Sequence, residues 1–230
     1  MRRSLGDIGT IALVICALIT TGAVIHREFF ASPLDATRIS AQKPYFIEGW
    51  RSKIGEDAQL GPGDAAVQFV EFADFECPYC GDFHRKLKWL RERHPTQVSL
   101  TYIHFPLPGH RFALAAARAA ECARDQGRFE AMYDRLFDEQ DMFGLKSWRE
   151  FAEGAGVPDL PGFDLCIGKV DTVPRIEHGK QLAGQLNVKA TPTVMVNGWM
   201  LDRPPTADQL DEMVKSVLAG KSPVIVLNRT

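Results

Sequence analysis

Charge of one sign is not in surplus in this chain of 230 residues: 27 Lys and Arg face 29 Asp and Glu, for a formal net charge of −2. Neutralising a phosphate backbone takes Lys and Arg in excess on one face, so no nucleic-acid partner is expected. Internal repeats and low-complexity tracts are absent. The pattern Cys-x-x-Cys occurs once, and a tetrahedral zinc site wants a second ligand pair at comparable spacing. Cysteine itself is sparse, at five residues. The remainder is ordinary globular composition, 45% hydrophobic and 24% charged, enough to bury a core without disulfides.

The one long uncharged apolar run is Ile8 to Ile25, 18 residues. As a helix it would span about 27 Å, the thickness of a bilayer core. Arg2 and Arg3 precede it, while Arg27 and Glu28 follow and cancel. The positive end should stay inside, so the chain beyond faces outward. An uncleaved single-pass anchor is the leading expectation. A signal peptide cleaved near Thr21-Gly22-Ala23 is the second reading, and a buried core helix the third. The first two export the chain, which makes disulfides permissible. Cys16 lies inside this run and reads as a lipid-facing or helix-packing residue.

Residues 31–63 hold Pro33, Pro44, Gly55, Gly61, Pro62 and Gly63 and read as a linker with a short helix near Phe46–Ile54. Ala65 to Phe72 is a short, mostly apolar run suited to a buried strand. A helical pattern follows, with Phe83, Leu87 and Leu90 on one face, and ends at Pro95. Val98 to Ile103 alternates as a second strand. Residues 112–186 are helical: an alanine-rich segment to Arg124, a stripe of Phe129, Met132, Tyr133, Leu136 and Phe137, a Ser147/Glu150 capping box, a short segment at Gly162–Gly168, and Val173–Leu186. Thr193–Val196, Asn197-Gly198 and Trp199–Leu201 read as a hairpin with a type I′ turn. A last helix begins at a Thr206/Gln209 capping box and buries Leu210, Met213, Val214, Val217 and Leu218. Two halves of one small sheet thus flank a helical block.

The chemistry gathers at Cys77-Pro78-Tyr79-Cys80. A strand runs straight into this motif and a helix follows. That places Cys77 at a helix N-terminus, where free N–H groups and the macrodipole favour an anion and lower a thiol pKa. Cys80 lies one turn on, within disulfide reach. Pro78 suits the first helical turn because it has no N–H to satisfy. Other readings are a zinc half-site with His84 as third ligand, or a short structural disulfide. Redox chemistry fits the context better, with His84 then a surface residue, and no metal or cofactor is called for. Glu71, six residues before Cys77, reads on its own as an outward-facing strand residue.

Phe75-Glu76-Cys77-Pro78-Tyr79-Cys80, Phe105-Pro106-Leu107, Ala119-Ala120-Glu121-Cys122-Ala123, Gln126-Gly127-Arg128-Phe129, Thr191-Pro192-Thr193 and Val196-Asn197-Gly198 together resemble the DsbA-like thioredoxin-fold family over residues 64–220. The resemblance implies an α/β fold: a thioredoxin fold with an inserted all-helical subdomain, here preceded by one N-terminal transmembrane helix. The expected limits are 1–30 anchor or signal segment, 31–63 linker, 64–105 and 187–230 thioredoxin fold, and 106–186 insertion. It implies that the Thr191–Pro192 bond is cis and lies against the redox pair, leaving an edge open for a substrate backbone. It also implies that Glu71 is a buried acid near the second cysteine, exchanging protons with Cys80 through water. The family's oxidase dipeptide is Pro-His, and Pro-Tyr here brings a hydrogen-bond donor but no charge, which predicts a less extreme oxidant.

Cys122 and Cys166 both fall in the insertion, and an exported chain favours a structural disulfide between them over two buried thiols. His104 and His110 read as packing or solvated residues. Phe75, Phe105, Trp199 and Met200 are candidates for an apolar rim around the redox pair, or in part for core. The expected activity is introduction of disulfides into reduced or unfolded exported proteins by a monomer on the periplasmic side of the cytoplasmic membrane. A quinone-linked reoxidase, DsbB- or VKOR-like, is the partner the resemblance implies. A reductase or isomerase using the same pair, or a non-catalytic binding module, is the alternative.

Overall fold

The computed structural model describes residues 43–55 and 58–224, together with Leu18 and Thr21. Apart from Leu18 and Thr21, the predicted anchor at residues 8–25 lies outside the described residues, as do Arg2, Arg3, Cys16 and the rest of the cleavage site. Among the described residues no helix is long and apolar enough to cross a membrane.

Strand β1 (Tyr45–Phe46), helix α1 (Trp50–Ile54) and strand β2 (Ala58–Leu60) come first. Next are β3 (Val67–Ala73), α2 (Pro78–Arg93) and β4 (Val98–His104). The helical block holds α3 (Ala113–Arg124), α4 (Phe129–Asp138), a 3-10 turn at Gln140–Met142, α5 (Trp148–Gly154) and α6 (Leu160–Ile167). Helix α7 (Pro174–Gln185), strands β5 (Thr193–Val196) and β6 (Trp199–Met200), and helix α8 (Ala207–Leu218) complete it.

The six strands form one sheet in the order β1-β6-β5-β3-β4-β2. The two central strands run parallel, Val67 opposite Val98 through Ala73 opposite His104, and the other pairings are antiparallel. Every β3 residue except Gln68 is buried, as a strand covered on both faces requires. The β5–β6 turn places Asn197 at φ 46° and Gly198 at φ 86°, the left-handed pair that a type I′ hairpin needs. Asn197 also ties the hairpin to the centre of the sheet: its Oδ1 accepts from Gln68 N at 2.7 Å and its Nδ2 donates to the Ala66 carbonyl at 2.8 Å.

On one face of the sheet α2 and α8 bury Phe83, Leu87, Leu90, Leu210, Met213 and Val214 against Phe69 and Leu100. Phe129, Met132, Tyr133, Leu136 and Phe137 of α4 join the same core. On the other face Trp50 and Ile54 of α1 and Leu182 and Ala183 of α7 meet Val70, Phe72 and Ile103. Gly179 lets α7 come close, since a Cβ there would collide with the His104 carbonyl on β4.

Three expectations are corrected here. Residues 45–60 are not linker: β1 and β2 are the two edge strands, and α1 is shorter than the predicted helix. The two- and three-residue strands are too short for their periodicity to register. Helix α7 was assigned to the insertion, yet it packs on the sheet's second face. Leu218, the last residue of α8, is 45% exposed and not part of its buried face.

Candidate active site

The Cys77–Cys80 turn is built where β3 stops. Asp74, Phe75 and Glu76 lead from the strand into α2, whose N-cap is Cys77 and whose first helical residue is Pro78. Asp74 is fully buried and organises the turn. Its carbonyl accepts from Cys77 N at 3.1 Å. Its carboxylate accepts from Glu76 N at 2.8 Å and Leu107 N at 2.8 Å, and lies 2.7 Å from His110 Nδ1. Glu76 accepts from Phe112 N. The turn is thus sewn to the loop after β4. His110, read from sequence as packing or solvated, is part of this network. Against a burial penalty, the Asp74 carboxylate, with Cys77 and Glu76 behind it, holds its imidazole above the ordinary value.

Cys77 and Cys80 are both buried free thiols, Cys77 with 4% of its surface exposed. The Cys77 thiol faces the Thr191 carbonyl at 3.5 Å, and the Thr191–Pro192 bond is cis. Tyr79 between the cysteines is 71% exposed. The Cys77 pKa is lowered from 9.0 to about 5. The largest cause is the hydrogen bond from the Cys80 thiol; burial opposes it, and Thr191 and the N–H groups of Cys80 and Tyr79 add to it. Cys80 moves the other way, far above the ordinary thiol range, first through burial and then through its bond to Cys77 and the charge of Glu71. One sulfur is built to carry a negative charge and its partner to stay protonated.

Glu71 on β3 is completely buried, which removes the outward-facing reading. Both its carboxylate oxygens lack a hydrogen-bond partner among the described residues. Burial, and then the charge of Cys77, raise its pKa from 4.5 to about 8. It is a proton-bearing acid at neutral pH.

His84 is a correction. Sequence placed it on the surface, but it is 1% exposed, its ring stacked on Phe137 at 5.0 Å and edge-on to Tyr133. Burial lowers its pKa to about 4, so it packs as a neutral ring; the apolar α4 stripe makes room for it. Phe75 and Met200 are also core, not rim. Phe75 stacks on Tyr102 at 4.9 Å and touches Phe137, joining the Cys77–Cys80 turn to the helical block. Phe105 and Trp199 are only partly buried. His104 is buried 2.9 Å from Glu121.

Cys122 of α3 and Cys166 of α6 form a disulfide, with Cα atoms 5.8 Å apart at a sequence separation of 44. Gln140 was missed altogether. From the 3-10 turn its side-chain amide donates to the carbonyls of Phe75 at 2.5 Å and Cys77 at 3.0 Å. A lone glutamine in a helical block carries no sequence signal for such a contact.

A family model described as thioredoxin matches residues 53–216. Na(+)/H(+) antiporter NhaA 1 of Mycolicibacterium vanbaalenii is 30% identical over 200 residues, covering 86% of this chain and 31% of that one. NhaA 3 of Salinispora tropica is 36% identical over 165 residues, 71% of this chain and 25% of the relative. The chain therefore spans between about a quarter and a third of the length of these curated relatives. Among solved structures, a thioredoxin-like oxidoreductase from Silicibacter pomeroyi superimposes with a TM-score of 0.58 at 26% identity, covering 70% of this chain and 92% of that one. Oxidised BdbD of Bacillus subtilis gives 0.63 at 22% identity over 71% and 94%. ScsC of Proteus mirabilis gives 0.62 at 20% identity over 95% and 100%.

Proposed function

The chain belongs to the thioredoxin family, as a thiol–disulfide oxidoreductase with a DsbA-like helical insertion, and from that premise we propose that it acts as a disulfide-forming oxidase on exported polypeptides, with Cys77 as the attacked sulfur. The observation that carries this reading is the asymmetry of the pair: Cys77 favours the thiolate while Cys80 resists it. A stabilised thiolate stabilises the dithiol form, and each unit of pKa lowering is ~1.4 kcal/mol, or ~30 mV toward oxidising power.

A substrate thiolate attacks Cys77 Sγ of the Cys77–Cys80 disulfide. The S–S bond breaks toward Cys80, which leaves as a thiolate and takes up a proton. Glu71, protonated at neutral pH, would supply that proton. A second substrate thiolate then attacks the substrate sulfur of the mixed disulfide and expels Cys77, a good leaving group because its thiolate is stable. The substrate gains a disulfide and the protein ends as the dithiol. The exposed Tyr79 ring and the Thr191–Pro192 edge are the proposed seat for the substrate backbone. A quinone-linked membrane partner would return the pair to the disulfide. The curated relatives are named antiporters, membrane proteins that contain a stretch like this chain, which supports membrane-tethered work.

Purified protein is expected to oxidise a reduced, unfolded substrate, and Cys77→Ser to abolish this. Activity that survives in that variant overturns the site. A Cys77–Cys80 potential near ~−270 mV, the thioredoxin value, overturns the oxidase direction and leaves a reductase with the same pair.

A further inference from the structure

The inserted helical block reaches backbone carbonyls of the redox turn through a polar side chain, that of Gln140. Gln140 opens the 3-10 turn after α4. Its neighbour Glu139 is held on both sides, by Arg135 at 2.9 Å and Lys146 at 2.7 Å, so the turn is braced from within the block. The Gln140 amide nitrogen reaches across to two carbonyls of the catalytic turn, those of Phe75 and Cys77. The Cys77 carbonyl already accepts from Cys80 N at 3.1 Å and Gly81 N at 3.2 Å. The glutamine adds a third donor to the peptide that fixes the first turn of α2.

A second observation points to the same contact. Gly81 lies in the interior of α2, where glycine is a poor helix former. A Cβ at this position would run into the Gln140 side-chain oxygen and lie 3.0 Å from its Cδ. The helix accepts a weak residue and the space goes to the glutamine amide.

We propose that Gln140 is a positioning residue for the redox pair, clamping the Phe75–Cys77 turn so that the N–H groups of Tyr79 and Cys80 stay aimed at the Cys77 sulfur. The inference rests on the redox reading of Cys77 and assigns part of its tuning to the inserted block. The clamp acts through geometry. Hydrogen bonds from Tyr79 and Cys80 to the thiolate depend on the turn's orientation, and they weaken steeply as donors swing off line. Without the amide, the two carbonyls lose a donor and the turn can rotate away from the helical block.

The test is titration of Cys77 in the reduced full-length protein, read by the ultraviolet absorbance of the thiolate, in the parent, Gln140→Met, Gln140→Glu and Gly81→Ala. Met keeps the length without the donor; Glu keeps the shape and sets a carboxylate against two carbonyls. The Cys77 pKa is expected to rise by ~0.5–1 unit in Gln140→Met and further in Gln140→Glu. A one-unit rise is a ~10-fold change in the couple's equilibrium constant, ~30 mV toward the reducing side. Gly81→Ala should reproduce the rise by displacing the amide, and should add nothing in the Gln140→Met background. Titration curves of both Gln140 variants that coincide with the parent overturn the proposal, even if their thermal unfolding shifts, because a purely structural role moves stability and not the thiolate. If the parent itself titrates like a free thiol near ~8.5, the redox reading fails instead.

Discussion

Two titrating residues pull the stability of the reduced protein in opposite directions. Cys77 has a folded pKa of about 5 against an ordinary 9.0. Between those values the unfolded chain holds the proton and the folded one does not, so its contribution grows as pH rises. Glu71 has a folded pKa of about 8 against 4.5. Over that range the folded state holds the proton that the unfolded state has lost, so stability falls as pH rises. The parent's reduced form should therefore change little in stability between pH ~5 and ~8. Glu71→Gln removes the falling limb: the reduced variant should gain up to ~1.4 kcal/mol per pH unit over that window, and the oxidised variant, whose Cys77 does not titrate, should not. Denaturant unfolding of both redox forms at several pH values checks this; equal slopes in the two forms would contradict a stabilised thiolate.

Helix α7 shows how one element is fitted to a sheet. It carries two interior glycines with different surroundings. Gly179 faces the His104 carbonyl at a distance no Cβ tolerates, whereas Gly184 has nothing within 4 Å of its would-be Cβ. Gly179→Ala should push α7 off β4 and cost ~1–3 kcal/mol. Gly184→Ala should stabilise by ~0.4–1 kcal/mol, by restricting the unfolded chain and favouring helix. Thermal unfolding of the pair separates the two effects, and a stabilised Gly179→Ala would mean that α7 does not pack as described. The same contrast explains what was legible at this scale. The long periodic helices α2, α4 and α8 announce themselves through apolar residues three and four apart, and α8 through its capping box. Strands β1 and β2 announce nothing, because two or three residues hold no period.

At the scale of the whole molecule, residues 43–63 are the sheet's two borders. β1 covers the edge of β6 and β2 covers the edge of β4, and Ile47, Trp50, Ile54 and Leu60 are buried with them. Burial of a large apolar side chain contributes ~1.5–3 kcal/mol, and a domain's whole margin is ~5–15 kcal/mol. A chain of residues 64–230 is therefore expected to unfold at much lower denaturant than 43–230, or not to fold, with exposed strand edges prone to aggregate. Equal midpoints for the two would return this segment to the status of linker.

The amino-acid sequence by itself determined the redox motif, its strand-to-helix setting, the hairpin turn and the periodic helices, because each is written in residues close together along the chain. Only the tertiary structure decided the burial of Glu71 and His84, the approach of Thr191 to Cys77, and the reach of Gln140 into the catalytic turn. These depend on groups tens to more than a hundred residues apart meeting in one water-poor space. A thiol's acidity and a carboxyl's protonation answer to that space, which the packing of both sheet faces and the helical block creates.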